Sequence, residues 1–443
     1  PGMMFLLGIY CAGGYGGSVS AILINTPGTP HAAATMLDGH PLSEQGRTKA
    51  ALKIALYAST FGGVFSALML LFLGPQVAKI AAQLGTAEYF MVCVFGLTII
   101  AGVSGKSIIR GLISACLGLL ISCVGTDPMT SYDRFTFGIS RLYLGLDLAV
   151  CLIGLFALVE ILAKAEKRLD RLNMDTRRIK DDGKITKSEY KRMARPVILS
   201  SIIGVLGGII PGTGASEASW FSYNTAKNLS KHPEEFGQGT PEGVYATEVS
   251  NNAVTGGALI PMLSLGVPGD SVTAIIMAAL VMQGISVGPM LFTTNKGLIH
   301  TLILAVFVAN ILMFVFQSFG IPIFARIVQV PRYYLMPLIA MCCVIGCVSV
   351  NNRVFDVYVI IVLGILGYAL EKNHYPLPPL LLGFVLGSMV EQYYRRSLMY
   401  YGSFWGCMSQ WSAGSFLVIA AVLIPVVSFM MKHMSLKKAG TGQ

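Results

Sequence analysis

Apolar runs free of Asp, Glu, Lys and Arg dominate this chain, at 54–77, 197–216, 298–325, 333–352 and 398–431. A bilayer core of about 30 Å takes roughly 20 apolar residues in a helix, and each run meets that length. Shorter charge-free stretches at 90–105, 111–126 and 357–370 read as spans with charged rims, or as tilted and partial spans. Period-2 alternation over segments of about ten residues, the mark of a membrane barrel, is absent. The pattern predicts an all-α polytopic membrane protein with about 10–12 membrane segments.

Composition agrees: 54% of residues are hydrophobic and 12% charged, where a soluble domain carries about a quarter charged residues. The net charge of +10 invites a nucleic-acid reading, but the basic residues gather in a few loops. Segment 164–195 alone holds twelve Lys/Arg against six Asp/Glu, and the positive-inside rule makes it a basic cytoplasmic linker. No nucleic-acid partner is expected. The nine Cys residues lie mostly in apolar segments and form no CxxC pair, so they read as small buried hydrophobes rather than metal ligands or disulfides. No cleavable signal is visible. The chain opens at Pro1 inside an apolar run, and an N-terminal part is expected to be missing.

Two segments resemble each other at an offset of about 241 residues. In the first, Tyr15-Gly16-Gly17 leads through an apolar run to Asn25-Thr26-Pro27-Gly28-Thr29; in the second, Gly256-Gly257-Ala258 leads to Gly266-Val267-Pro268-Gly269-Asp270. Each is followed by an Ala-rich stretch, a Gly-bearing turn (Gly39, Gly284) and a long span. Loop 38–53 carries Arg47, Lys49 and Lys53 where its counterpart 284–297 carries Lys296 alone; loop 75–86 carries Lys79 where its counterpart carries Arg326 and Arg332. This reversal predicts two inverted-topology repeats. The expected divisions are 1–163 (first repeat), 164–195 (linker), 196–397 (second repeat) and 398–443 (an extra transmembrane helix and basic tail). The second repeat opens with a section holding its own break, Pro211-Gly212-Thr213-Gly214, and a matching section is expected before Pro1.

Pro removes a helix bond and Gly permits sharp unwinding. Non-helical backbone at membrane depth is tolerated where it lines a polar cavity or is buried in protein. Paired Gly/Pro-interrupted helices therefore point to a transporter site, and the half-helix that begins at each break offers its N–H groups to an anion. The candidate substrate-binding residues are Asn25, Thr26, Pro27, Gly28, Thr29, Gly212, Thr213, Gly214, Asn251, Asn252, Gly266, Pro268, Gly269, Asp270 and Ser271. Small hydroxylated neighbours (Ser18, Ser20, Ser216, Ser219, Ser264, Thr273) replace the hydration of a carboxylate without a full positive charge. Glu217, Glu242, Glu248 and Asp270 are the charged residues near these breaks; Asp270 reads first as a helix cap, with a role in proton or Na⁺ coupling as the alternative. No catalytic arrangement, resident cofactor or metal motif is found: Gly102-Val103-Ser104-Gly105-Lys106-Ser107 lacks the first Gly of a phosphate loop, since position 100 is Ile100.

These blocks resemble the large membrane subunit of the tripartite tricarboxylate transporters, the TctA family. The resemblance rests on Gly8-Ile9-Tyr10 through Gly16-Gly17-Ser18, Ile22-Leu23-Ile24-Asn25-Thr26-Pro27-Gly28, Ile210-Pro211-Gly212-Thr213-Gly214-Ala215, Ser230-Lys231-His232-Pro233-Glu234, Glu248 through Asn251-Asn252-Ala253, Gly256-Gly257-Ala258, and Leu265-Gly266-Val267-Pro268-Gly269. It runs from Gly8 to about Arg396. It implies a multi-pass subunit of the bacterial inner membrane that imports a small carboxylate on an H⁺ or Na⁺ gradient. The implied partners are a small four-helix membrane subunit and a periplasmic solute-binding protein, with a homo-oligomer left open. The competing readings are a stand-alone carboxylate carrier, a channel, which lacks a ring of charges, and a membrane enzyme, which lacks a nucleophile–base pair.

Overall fold

The computed structural model describes residues 2–25, 27–103, 107–127, 129–166, 183–210, 214–327, 332–403 and 406. In chain order the helices are α1 (Gly2–Ile24), α2 (Met36–Leu42), α3 (Thr48–Ala81), α4 (Thr86–Val103), α5 (Ile108–Ser122), α6 (Leu148–Leu152), α7 (Val159–Glu166), α8 (Lys187–Met193) and α9 (Val197–Ile209). They continue as α10 (Gly214–Leu229), α11 (Pro241–Leu265), α12 (Ser271–Met282), α13 (Leu291–Thr294), α14 (Lys296–Ile327), α15 (Arg332–Asn351), α16 (Phe355–Lys372) and α17 (Leu377–Tyr401). Among the described residues the one sheet is a hairpin of two-residue strands, Gly125–Thr126 against Asp133–Arg134. The all-α expectation holds.

Among the described residues, four helical stretches are long and apolar enough to cross a bilayer: Gly2–Leu23, Met36–Ala81, Lys187–Ile209 and Lys296–Ile321. The last three account for most of the runs at 54–77, 197–216 and 298–325. Five further apolar helices are shorter. Most of the run at 398–431 lies outside the described residues.

Two expected loops are corrected: 75–81 of the loop 75–86 is the end of α3, with Lys79 in its last turn, and 38–53 differs throughout. The stretch 38–53 is helical rather than a loop: α2 passes through a single wide turn at Ser43–Arg47 into α3, with Gly46 at φ 82° absorbing the bend. Leu42, Ala50, Ala51 and Leu52 are completely or almost completely buried, and that burial outweighs the three basic residues that suggested a loop. Gly39 is accordingly not a turn; a Cβ there would lie 2.7 Å from Ile22 Cγ1, so it lets α2 approach α1.

The chain forms two compact units, each drawing on both halves of the sequence: Pro1–Lys79 with Lys164–Ile339, and Ile80–Ala163 with Ala340–Gln443. They cut across the segments 1–163 and 196–397.

The first unit is built around α11, which is buried along nearly its whole length although its middle reads Thr247, Glu248, Ser250, Asn251, Asn252. Polar side chains are held in such a place by close backbone approach and hydrogen bonds. The small residues permit that approach: a Cβ on Gly204 or Gly208 of α9 would lie 2.5 Å from Ser250 O or Ala258 N. The apolar core beside it joins Tyr15, Ile22, Leu42, Leu52, Val244 and Met313. The N-terminal end of α11 is fixed by charge. Asp38 Oδ1 accepts from the backbone N–H groups of Gly237, Gly239 and Thr240 (2.8, 2.8 and 3.0 Å), and Arg192 bridges Glu242 and Glu235.

In the second unit the core joins Cys151, Leu155, Leu363, Leu380 and Phe384. The hairpin is tied to α17, where Arg395 donates to Asp127 at 2.6 Å and Arg134 forks onto Glu391 at 2.6 and 3.1 Å. Asp147 caps α6, accepting from the N–H groups of Ala149 and Val150.

Candidate functional site

One face of α1 organises the site. Tyr10, Gly14, Gly17 and Ser18 follow the i, i+4, i+7, i+8 spacing that places residues on one side of a helix. Each meets a different part of the unit. The Tyr10 hydroxyl donates to Asp270 Oδ2 at 2.6 Å. Gly14 faces the Asn252 amide, where a Cβ would come 3.2 Å from Oδ1. Gly17 lies against Gly28 and Thr29, and Ser18 donates to Glu248 Oε1 at 2.5 Å. From Tyr10 to Gly17 the helix rises about 10 Å, so both Pro-Gly turns lie along one short stretch of α1.

The first turn leaves α1 through Asn25, at φ 50° in the left-handed region that Asn tolerates. The chain then folds back, and the Gly28 N–H donates to Gly17 O at 3.1 Å. A Cβ on Gly28 would lie 2.5 Å from Ser20 Oγ and 2.9 Å from Gly17 Cα, so a side chain there collides with α1 itself. Pro27 and Gly28 are exposed, whereas Thr29 is extended and its buried Oγ1 has no hydrogen-bond partner. Thr26 lies outside the described residues.

The second turn begins where Gly266, at φ 73°, ends α11; its N–H and that of Val267 close onto Met262 O and Pro261 O. This is a Schellman-type end that needs glycine's freedom. Pro268 and Gly269 follow, both buried. A Cβ on Gly269 would lie 2.5 Å from Gly208 O and 2.7 Å from Ala258 Cβ. Asp270 then caps α12 in a reciprocal box: Oδ1 accepts from Thr273 N at 2.7 Å, and Asp270 N donates to Thr273 Oγ1 at 2.9 Å. With Tyr10 on its second oxygen, Asp270 is a satisfied structural carboxylate, as the capping reading expected. Ser271 starts α12, half-buried.

The third break is described in part. Ile210 is extended and Gly214 takes φ 66° at the start of α10; Pro211, Gly212 and Thr213 lie outside the described residues.

Asn251 and Asn252 are buried in the middle of α11. Asn252 Nδ2 donates to Glu248 O at 3.3 Å while Oδ1 has no partner. The Asn251 amide lies beside the Glu248 carboxylate, but Nδ2 falls short of hydrogen-bond geometry to any group. His31, in the turn after Thr29, has a buried Nδ1 without a partner. Buried polar atoms are nearly always paired. Thr29, His31, Asn251 and Asn252 are exceptions in one unit, and such atoms are what a polar cargo would satisfy.

The group that sequence reasoning left out of the site is the fully buried Glu248. Its Oε1 accepts from Ser18 and Thr35 and its Oε2 from Ser59 at 2.8 Å. Hydrogen bonds to a charged group are worth about 1.5–3 kcal/mol each, which offsets part of the desolvation of this carboxylate. Glu248 was legible as a charge near the breaks; Thr35 and Ser59 were not, because they lie 213 and 189 positions from it. The group His232, Glu234 and Glu235 is close enough to share an ion, but it lies in a surface turn where Glu235 is engaged by Arg192.

Residues 1–382 match the model of the tripartite tricarboxylate transporter TctA family. Two proteins of Agrobacterium vitis are similar. One, described as an uncharacterized 52.8 kDa protein in the TAR-I ttuC' 3' region, is 38% identical over 90% of this chain and 79% of its own length. The other, described as an uncharacterized protein in the TAR-II ttuC' 3' region, is 42% identical over 44% of this chain and 81% of its own length. No solved structure matches.

Proposed function

The chain belongs to the tripartite tricarboxylate transporter TctA family, and from that premise we propose that it is the large subunit of an ion-gradient-driven importer of a small carboxylate. Membership makes it a multi-pass component of a transport system with partner subunits. The finer reading adds a bacterial inner-membrane location, a small four-helix membrane partner, a periplasmic solute-binding protein that delivers the cargo, and two repeats of opposite orientation.

The observation that carries the reading is the pair of Pro-Gly turns set along one face of α1, with the unpartnered buried donors Thr29 Oγ1 and Asn251 Nδ2 in the same unit. Neutral amides and hydroxyls recognise a carboxylate generically, and they hold it less tightly than an Arg fork, which suits a site that must release its cargo. The cargo enters between the turns, its carboxylate oxygens taking the Thr29 hydroxyl and the Asn251 amide. Gly28 and Gly269 allow the close backbone approach that the turns require. H⁺ and Na⁺ are the candidate coupling ions. Uptake of labelled carboxylates by proteoliposomes holding the chain and its small partner tests this reading. Uptake that needs both the binding protein and an ion gradient supports it; fast flux that needs neither makes the chain a stand-alone carrier or channel.

A further inference from the structure

We propose that Glu248 is the proton carrier of this transporter, taking up one proton as the carboxylate cargo binds and releasing it on the opposite side with the cargo. This rests on the transport reading above and deepens it by naming the coupling ion and its residue.

Three observations support it. First, Glu248 is a completely buried carboxylate that accepts hydrogen bonds from hydroxyls of three separate elements, Ser18 of α1, Thr35 of the turn before α2, and Ser59 of α3. The other ionisable groups on elements packed against α11 do not neutralise it. From α1 the phenol of Tyr15 faces it, itself donating to Leu52 O. His31 faces Asp270, Tyr10 bonds Asp270, and Asp38 is held by the 237–240 backbone beside Tyr223. Arg192 of α8 is engaged by Glu242 and Glu235, Arg47 bonds Glu189 of α8, Lys53 of α3 bonds Gly183 O, and Glu217 of α10 carries no positive charge. Helices α9, α12 and α13 carry no ionisable side chain.

Second, the hydroxyls fit both protonation states. With Glu248 ionised, all three donate to it. With Glu248 protonated, Thr35 has Thr247 Oγ1 at 3.0 Å and Ser18 has Gly14 O at 3.3 Å as other acceptors, which frees their oxygens to accept the new proton. A pocket in which both states are satisfied lets a buried acid titrate without leaving an orphaned donor.

Third, Glu248 is one helical turn from Asn251 and Asn252, and it meets Ser18 next to the residue that packs on the first Pro-Gly turn. An ionised Glu248 there repels an anionic cargo, and its neutral form does not. Proton uptake and anion binding therefore favour each other, and thermodynamic linkage makes the effect reciprocal.

The test uses the full chain with its partner subunit and binding protein in proteoliposomes, an internal pH dye, and labelled citrate within a carboxylate panel. In the native protein an inward proton gradient should raise uptake at least tenfold, with protons entering alongside carboxylate. Glu248→Gln, a permanent mimic of the neutral form, should lose the gradient stimulation and the accompanying acidification, while Glu248→Asp should keep both at a lower rate. Proton-coupled uptake in Glu248→Gln overturns the proposal. The native protein guards against a variant that fails to fold: uptake driven by sodium and indifferent to a proton gradient overturns the proposal while the transport reading stands. Transport of no carboxylate in the panel overturns both.

Discussion

Single atoms carry the sharpest consequences here. Gly28 and Gly269 sit where a Cβ would fall within 3 Å of backbone, on Gly17 Cα in one case and Gly208 O in the other. Substitution of either by Val is expected to reduce carboxylate uptake at least tenfold, while membrane insertion, checked by fractionation and detergent chromatography, persists. Near-native uptake in either variant would remove the turns from the transport site. Asp270 makes a different prediction. Its cap on Thr273 N survives in Asp270→Asn, since Asn caps as well as Asp, whereas Asp270→Ala should cost about 0.5–2 kcal/mol of stability. Thermal unfolding of the two variants distinguishes them, and equal losses would contradict the capping role. At this scale the sequence was informative where chemistry is local. The Pro-Gly pairs and the Asp270 cap are written in consecutive residues. The Glu248 cluster is not, because its donors come from helices that only folding brings together. The bond from Tyr10 to Asp270 was illegible for the same reason: nothing near Tyr10 in the chain indicates an acceptor 260 positions away.

At the scale of elements, the helices follow apolar periodicity, and the exceptions have physical causes. The 38–53 stretch folds as helix because Leu42 and 50–52 are buried, information that a count of basic residues lacks. Helix α11 ran against hydropathy, since its middle is polar; glycines on its neighbours allow it to be enclosed. The 125–134 hairpin gives an element-scale prediction. Backbone donation from Met129, the Thr130 hydroxyl and Arg395 hold the Asp127 carboxyl well below the usual carboxylate range. A carboxyl lowered on folding stabilises above its unfolded pKa of about 3.9 and loses that contribution as pH falls toward the folded value. Hydrogen exchange of the hairpin amides, corrected for intrinsic rates, should therefore show protection that holds from neutral pH to about pH 5 and declines below about pH 4. Unchanged protection through that window would contradict the role given to Asp127, and Asp127→Asn should flatten the profile.

For the whole molecule, the two compact units each combine segments from both halves of the sequence. The candidate residues that are described all fall in the first unit, with Pro1–Lys79 supplying one Pro-Gly turn and Lys164–Ile339 the other. The offset series in the sequence pairs the two turns; it did not show that α1 gathers them, which depends on the 10, 14, 17, 18 spacing meeting residues from the far half. The central claim is that this assembly drives a carboxylate across the membrane on an ion gradient with a delivered cargo. The measurement that tests it most directly is labelled-carboxylate uptake into proteoliposomes containing the chain and its small partner, with binding protein and gradient each added or withheld. Accumulation above equilibrium only when both are supplied is the predicted result; equally rapid flux with neither would contradict it.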